Sequence, residues 1–142
     1  KISAALASKA SMGIFQNKHM RKVITDFNPD MTISTHFFGS SLIDRSNMTK
    51  RLINIKSKSP LIIEESRNII FFPLKSIREK NNIWISFNNL EKYIKHEDKT
   101  VFIFKNKKEV ILDFSYYIID NQVTRSLMLD YELKNRRESL KK

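Results

Sequence analysis

The sequence contains no cysteine, which excludes a disulfide scaffold, a thiol nucleophile and any metal site with thiolate ligands. Only two glycines occur, too few for the loops that bring backbone close to phosphate in nucleotide-binding motifs. The longest apolar run, Ile69-Ile70-Phe71-Phe72-Pro73-Leu74, falls far short of the ~20 residues a membrane-spanning helix needs. Acidic residues are the scarce charge, 15 Asp+Glu against 26 Lys+Arg, so the formal net charge is +11. What is present is a hydrophobic fraction of 41%, with ten Phe, four Tyr and one Trp, which argues against wholesale disorder. A chain of 142 residues suits one domain, which buries roughly 68% of the surface its unfolded chain exposes. The expectation is a cytoplasmic, basic, single-domain protein without cofactor, metal or membrane contact.

Codon usage in an A/T-rich genome would account for part of the lysine, since Ile (19), Lys (18) and Asn (12) are all abundant. Codon usage would not cluster the charge. Residues 1–60 carry ten Lys/Arg and three Asp/Glu, a net of +7, whereas 61–100 carry seven and six, and 101–142 nine and six. A one-sided basic field attracts polyanions and speeds their association.

All four alanines fall in residues 1–10, an abrupt change of composition. The reading is therefore an arm or non-native segment over 1–20, a single domain over 21–135 and a basic tail over 136–142. Residues 1–12 are expected to add nothing to the core. The segment Ile2–Ala7 is too short for the apolar part of a secretory signal.

The pattern predicts an α+β fold: mostly antiparallel β-hairpins, a short helix, and a long C-terminal helix packed on the sheet. Arg51–Lys56 alternates like a half-buried strand, with Ile53 and Ile55 on one face and Lys50 and Lys56 on the other. Leu61–Glu64 and Ile69–Phe72 flank Glu65–Asn68 as a hairpin, which Pro73 ends. Ile83–Phe87 reads as a strand, and Asn88 or Asn89 as the cap of a short helix through Lys95. Val101–Phe104 and Val110–Phe114 form a second hairpin, with Asn106 expected in the left-handed turn conformation. Ser115 caps the closing helix, in which Ile119, Val123, Leu127 and Tyr131 recur every four residues. Val123 and Leu127 are expected to pack on the sheet. The apolar stripe ends near Lys134.

No constellation for catalysis is visible, and an enzyme is not expected. His36 precedes Ser40 and Ser41, but Gly39-Ser40-Ser41-Leu42-Ile43 lacks the second glycine of a nucleophile elbow. His19, His36 and His96 are scattered, without metal-ligand spacing. Nucleic-acid binding has more support. Arg45, Lys50, Arg51, Lys56 and Lys58 place five cations in fourteen residues with no acid among them. Lys75 and Arg78 follow the first hairpin, and Lys105, Lys107 and Lys108 occupy the tip of the second. Lysines on loops suit phosphates, and an arginine can enter a narrow minor groove; Arg45 and Arg51 are the candidates for insertion. Two alternatives stand beside duplex DNA. One is a domain for RNA or single strands that stacks bases on Tyr93 or Tyr117; the other is a basic protein-interaction module for an acidic partner.

The stretch His36-Phe37-Phe38-Gly39-Ser40-Ser41, followed by Arg45, resembles the ComK family of competence transcription factors. Further matches follow in order: Lys58-Ser59-Pro60-Leu61-Ile62, Phe71-Phe72-Pro73, Trp84-Ile85, Val101–Asn106, Ser115-Tyr116 and Asn121-Gln122. They cover about residues 35–134. The chain departs from the pattern at Leu42-Ile43-Asp44, Ser59, Leu74 and Lys107. No counterpart of the family's N-terminal strands is legible in residues 1–30, and its C-terminal extension is at most Glu138–Lys142, so the chain reads as a shortened or divergent relative. The resemblance implies an activator of DNA-uptake genes that binds A/T-rich boxes through the minor groove. It also implies a homo-oligomer on double-stranded DNA and a protease adaptor as a further partner.

Overall fold

The computed structural model describes residues 14–16, 38–64, 67–76, 79 and 82–141. The expectation for residues 1–12 lies outside these, as does Arg78. Strand β1 (Ile14–Gln16) is followed by helix α1 (Phe38–Ile53), then β2 (Leu61–Glu64), β3 (Ile69–Pro73) and β4 (Ile83–Ser86). A 3-10 turn (Phe87–Asn89) leads into β5 (Leu90–His96), β6 (Lys99–Phe104) and β7 (Glu109–Leu112), and helix α2 (Tyr116–Lys141) closes the fold. One antiparallel sheet has the order β1-β4-β3-β2 and the other β5-β6-β7. The fold is α+β, with both hairpins where the sequence put them. β1 lies inside the 1–20 segment, and its Phe15 pairs with Trp84 of β4.

The two sheets and α2 share one core. Phe72, Leu74 and Ile85 of the first sheet region cluster with Phe102, Phe104 and Leu112 of the second, and with Ile119 and Val123 of α2. Further along α2, Leu129 and Leu133 join Ile53 of α1, Ile62 and Ile70. Among the described residues no helix is long and apolar enough to cross a membrane.

Three local expectations are corrected. The strand over 51–56 is instead the last turn of α1 and the loop after it. Among the residues of α1 whose side chains are described, Arg45, Ser46, Thr49 and Ile53 turn inward, three of them polar groups that a hydrophobic pattern does not register. The Ser46 and Thr49 hydroxyls both have partners. Ser46 Oγ lies 2.5 Å from Ser59 Oγ, and Thr49 Oγ1 donates to the Arg45 carbonyl at 3.2 Å.

The helix expected from Asn88 to Lys95 is the 3-10 turn and strand β5. Leu90, Tyr93 and Ile94 have helical spacing, but a register shift between Leu90 and Lys92 lets Leu90 and Tyr93 both pack on the core. Ile94 is left on the outer face.

In α2 the buried positions are Ile119, Gln122, Val123, Ser126, Leu129 and Leu133. Leu127 is 54% exposed and Tyr131 66% exposed, so neither packs on the sheet. A step of four residues overshoots the ~100° per residue of an α-helix by about 40° each time, so a four-spaced row winds off the buried face. Ser115 does sit at the helix start, its Oγ accepting the Ile118 N–H at 3.4 Å. The helix itself runs on past Lys134 to Lys141.

Helix α1 ends in a left-handed cap. Asn54 has φ 55°, and the Ile55 N–H reaches back to the Lys50 carbonyl at 3.1 Å, the six-to-one bond of a Schellman motif. Asn54→Gly is expected to change thermal stability by a few tenths of a kcal/mol at most, whereas Asn54→Val should cost about 1 kcal/mol or more. Equal melting temperatures for the two variants would contradict this account of the cap.

Candidate nucleic-acid interface

The basic run after α1 is gathered into one place by the fold. Lys50 and Arg51 lie in the last turn of α1, where cations oppose the negative end of the helix dipole. Arg51 and Lys56 are exposed, and Lys50 and Lys58 are half-buried. Helix α2 supplies a further cation that sequence reading missed. Arg125 donates from one guanidinium nitrogen to the Ser57 carbonyl at 2.8 Å, and the same nitrogen lies 3.5 Å from the Lys58 carbonyl. A single arginine within a helix carries no signal of this kind; only the docking of α2 beside the loop reveals it. Burial lowers the Lys58 pKa, and the neighbouring Arg125 charge lowers it further.

Arg45 is the main correction among the expected contacts. Its side chain is buried against the first sheet, its guanidinium donating to the Ile62 carbonyl at 2.5 Å with the Ile63 carbonyl at 3.5 Å. Burial lowers its pKa, and its Nε finds no hydrogen-bond partner among the described residues. Such a group braces the fold and is not presented to a DNA groove. The helix places residue 45 one turn before Thr49 and two before Ile53, on the inward face, which a strand-based reading of the segment could not anticipate.

The other candidates belong to other elements. Lys75 is half-buried, its backbone N–H donating to Asn82 Oδ1 at 2.9 Å. Lys105, Lys107 and Lys108 are exposed at the β6–β7 turn. There the left-handed residue is Lys107, φ 71°, not Asn106, whose side-chain oxygen accepts the Lys108 N–H at 3.0 Å. Lys107 Nζ is paired with Glu91 at 2.7 Å, so part of its charge is already neutralised. That hydrogen bond holds the Glu91 carboxyl below its usual range. Tyr93, a candidate for base stacking, is committed elsewhere. Its hydroxyl donates to Asp120 Oδ1 at 2.7 Å and its ring lies 5.3 Å from that of Tyr116. Burial first, then the Asp120 contact, pushes its pKa up. Tyr117, by contrast, is 78% exposed.

The motifs that carry the family resemblance serve mainly the interior. Trp84, Ile85, Phe71 and Phe72 are core, and Gln122 donates to the Pro73 carbonyl at 2.6 Å and the Lys58 carbonyl at 2.9 Å. Similarity carried by such positions is similarity of fold. The family profile described as ComK protein matches residues 4–138. The chain belongs to the ComK family. The match runs through residues 4–30, so the expectation that this segment has no family counterpart is overturned. The Competence transcription factor of Bacillus subtilis (strain 168) is 33% identical over 104 residues, 72% of this chain and 54% of the relative. The chain thus spans about half the length of that curated relative. No solved structure matches.

Proposed function

We propose that this ComK-family chain is a DNA-binding transcriptional activator of competence genes that recognises A/T-rich duplexes through the minor groove. Family membership across residues 4–138 is the observation that carries the reading. It is supported by a charge of +11 and by the cluster of Lys50, Arg51, Lys56, Lys58 and Arg125, whose chain segment from 45 to 63 holds no acid. With Arg45 committed to the interior, Arg51 is the arginine placed for groove insertion, and the exposed lysines are placed for phosphates. Minor-groove edges separate A·T from G·C and little else, so groove width and bendability supply much of the selectivity. Leu127, Met128 and Tyr131, all exposed on α2, favour self-association on DNA. A protease adaptor as a further partner and a cytoplasmic location follow from the family reading. The exposed ring of Tyr117 favours single-strand stacking as the second reading.

Binding to A/T-rich and G/C-rich duplexes of equal length, titrated across a salt series, tests the proposal. With Lys50, Lys56, Lys58, Lys105 and Lys108 on phosphates, the logarithm of affinity should fall against log salt with a slope of about −4 to −5. The A/T-rich duplex should bind more tightly at every salt concentration. Arg51→Ala should narrow that preference, because insertion depends on the narrow, electronegative groove of A/T tracts. Equal affinity of the parent for both duplexes, or tighter binding of single strands, would overturn the minor-groove reading.

A further inference from the structure

The loop between α1 and β2 is held with unusual firmness for an exposed cationic segment. It is bracketed by two left-handed residues, Asn54 (φ 55°) and Lys58 (φ 54°). Its carbonyls face α2: Ser57 O accepts from Arg125 at 2.8 Å, and Lys58 O accepts from Gln122 Nε2 at 2.9 Å. Gln122 is itself 1% exposed, donates also to the Pro73 carbonyl, and its Oε1 lies 3.2 Å from Arg125. Ser57 and Lys58 are therefore fastened to α2 by their carbonyl acceptors, while the neighbouring Ser59 hydroxyl donates to the Ser46 carbonyl of α1 at 3.3 Å. The backbone N–H groups of Lys56, Ser57 and Lys58 donate to no acceptor among the described residues.

Peptide geometry turns this into a directional statement. In a trans peptide the carbonyl and the following N–H point to opposite sides. With the Ser57 carbonyl turned to Arg125, the N–H of Lys58 is turned away from α2. Beside it stand the side chains of Lys56, exposed, and Lys58, half-buried. Arg125 is braced by neutral oxygens, with no carboxylate among its hydrogen-bond partners in the described residues, so its positive charge adds to the field at the loop. Backbone N–H groups and cations fixed in advance are what an anionic oxygen needs.

We infer that the loop Lys56–Lys58 is a preorganised subsite for one phosphodiester of the nucleic-acid backbone, with Arg125 as the residue that positions it. Lys56 and Lys58 supply the charge and the Lys58 N–H a directed donor. Arg125 acts through the loop: its planar guanidinium holds the Ser57 and Lys58 carbonyls together, a geometry a lysine ammonium does not reproduce. The inference rests on the reading that this chain binds duplex DNA.

The test uses the full chain and one A/T-rich duplex across a salt series, with Lys56→Gln, Arg125→Lys, and Lys95→Gln as a charge control on β5. Lys56→Gln should flatten the slope of log affinity against log salt by about 1. Arg125→Lys keeps the net charge, yet should weaken binding roughly 5- to 10-fold and flatten the slope by about 1, with the A/T preference retained. Lys95→Gln should leave the slope as in the parent. Parent-like binding by Arg125→Lys would show that Arg125 acts by charge alone, and a parent-like slope for Lys56→Gln would show that the loop touches no phosphate. Either result sinks the inference while the parent's preference for A/T-rich DNA still stands. A parent that binds neither duplex sinks the DNA-binding reading itself.

Discussion

Replacing Leu129 by alanine is expected to lower the unfolding free energy by about 2–5 kcal/mol, and Leu133→Ala by a similar amount. Both side chains are fully buried, packed with Ile53, Ile62 and Ile70 where α2 crosses α1 and the first sheet. Truncation removes apolar area from that contact and leaves a cavity that neighbouring strands cannot close. Leu127, two residues before Leu129 on the same helix, should cost less than about 0.5–1 kcal/mol, because over half of its surface already meets water. Urea titrations of the three variants at one pH decide the matter. A Leu127→Ala loss as large as that of Leu129→Ala would mean that α2 is rotated, or that a partner covers its outer face.

The second large effect is expected at Asn82. This side chain is 0% exposed and replaces a backbone ladder at the start of β4. Its oxygen accepts the N–H groups of Lys75 and Ile83, each at 2.9 Å, and its amide donates to the carbonyls of Lys75 and Ser76, each at 2.9 Å. All four of its hydrogen-bonding capacities are used, so it ties the segment after β3 to the strand that follows. Asn82→Ala should cost about 3 kcal/mol, since unsatisfied buried groups cost roughly 1–3 kcal/mol each and relaxation recovers part of the sum. Asn82→Asp keeps the shape but loses both donors and sets an anionic oxygen against two carbonyls. It should be at least as damaging at neutral pH. If chemical denaturation finds Asn82→Asp as stable as the parent, the bonds from the amide are not what holds this segment.

What could be read from the sequence was whatever the apolar residues announced. Leu61–Glu64 with Ile69–Phe72, and Val101–Phe104 with its partner strand, are short apolar runs bounded by turn residues, and both hairpins form. Helix α2 was legible as a helix, but its phase was not. Ile119 and Val123 begin the buried stripe, and the continuation passes through Gln122, Ser126 and Leu129 rather than Leu127 and Tyr131. The later turns of helix α1 were illegible for the same reason, since Arg45, Ser46 and Thr49 are buried there beside Ile53. β5 was misread because its bulge gives a strand the spacing of a helix. At the candidate interface, the cationic run 50–58 was plain in the sequence. The burial of Arg45, the pairing of Lys107 with Glu91 and the approach of Arg125 depend on tertiary docking, which local patterns do not encode.

The burial of Arg45 has a consequence for behaviour at high concentration. β2 is an outer strand of the four-stranded sheet, and an outer strand offers its backbone groups as a template for strands from other copies. The Ile62 carbonyl of that strand already accepts from a guanidinium reaching out of α1. The opposite flank is β1, three residues long, too short to seed an extended ladder. Crowding of many copies in solution would then favour contacts through helices and loops over runaway strand addition, and keep any association reversible.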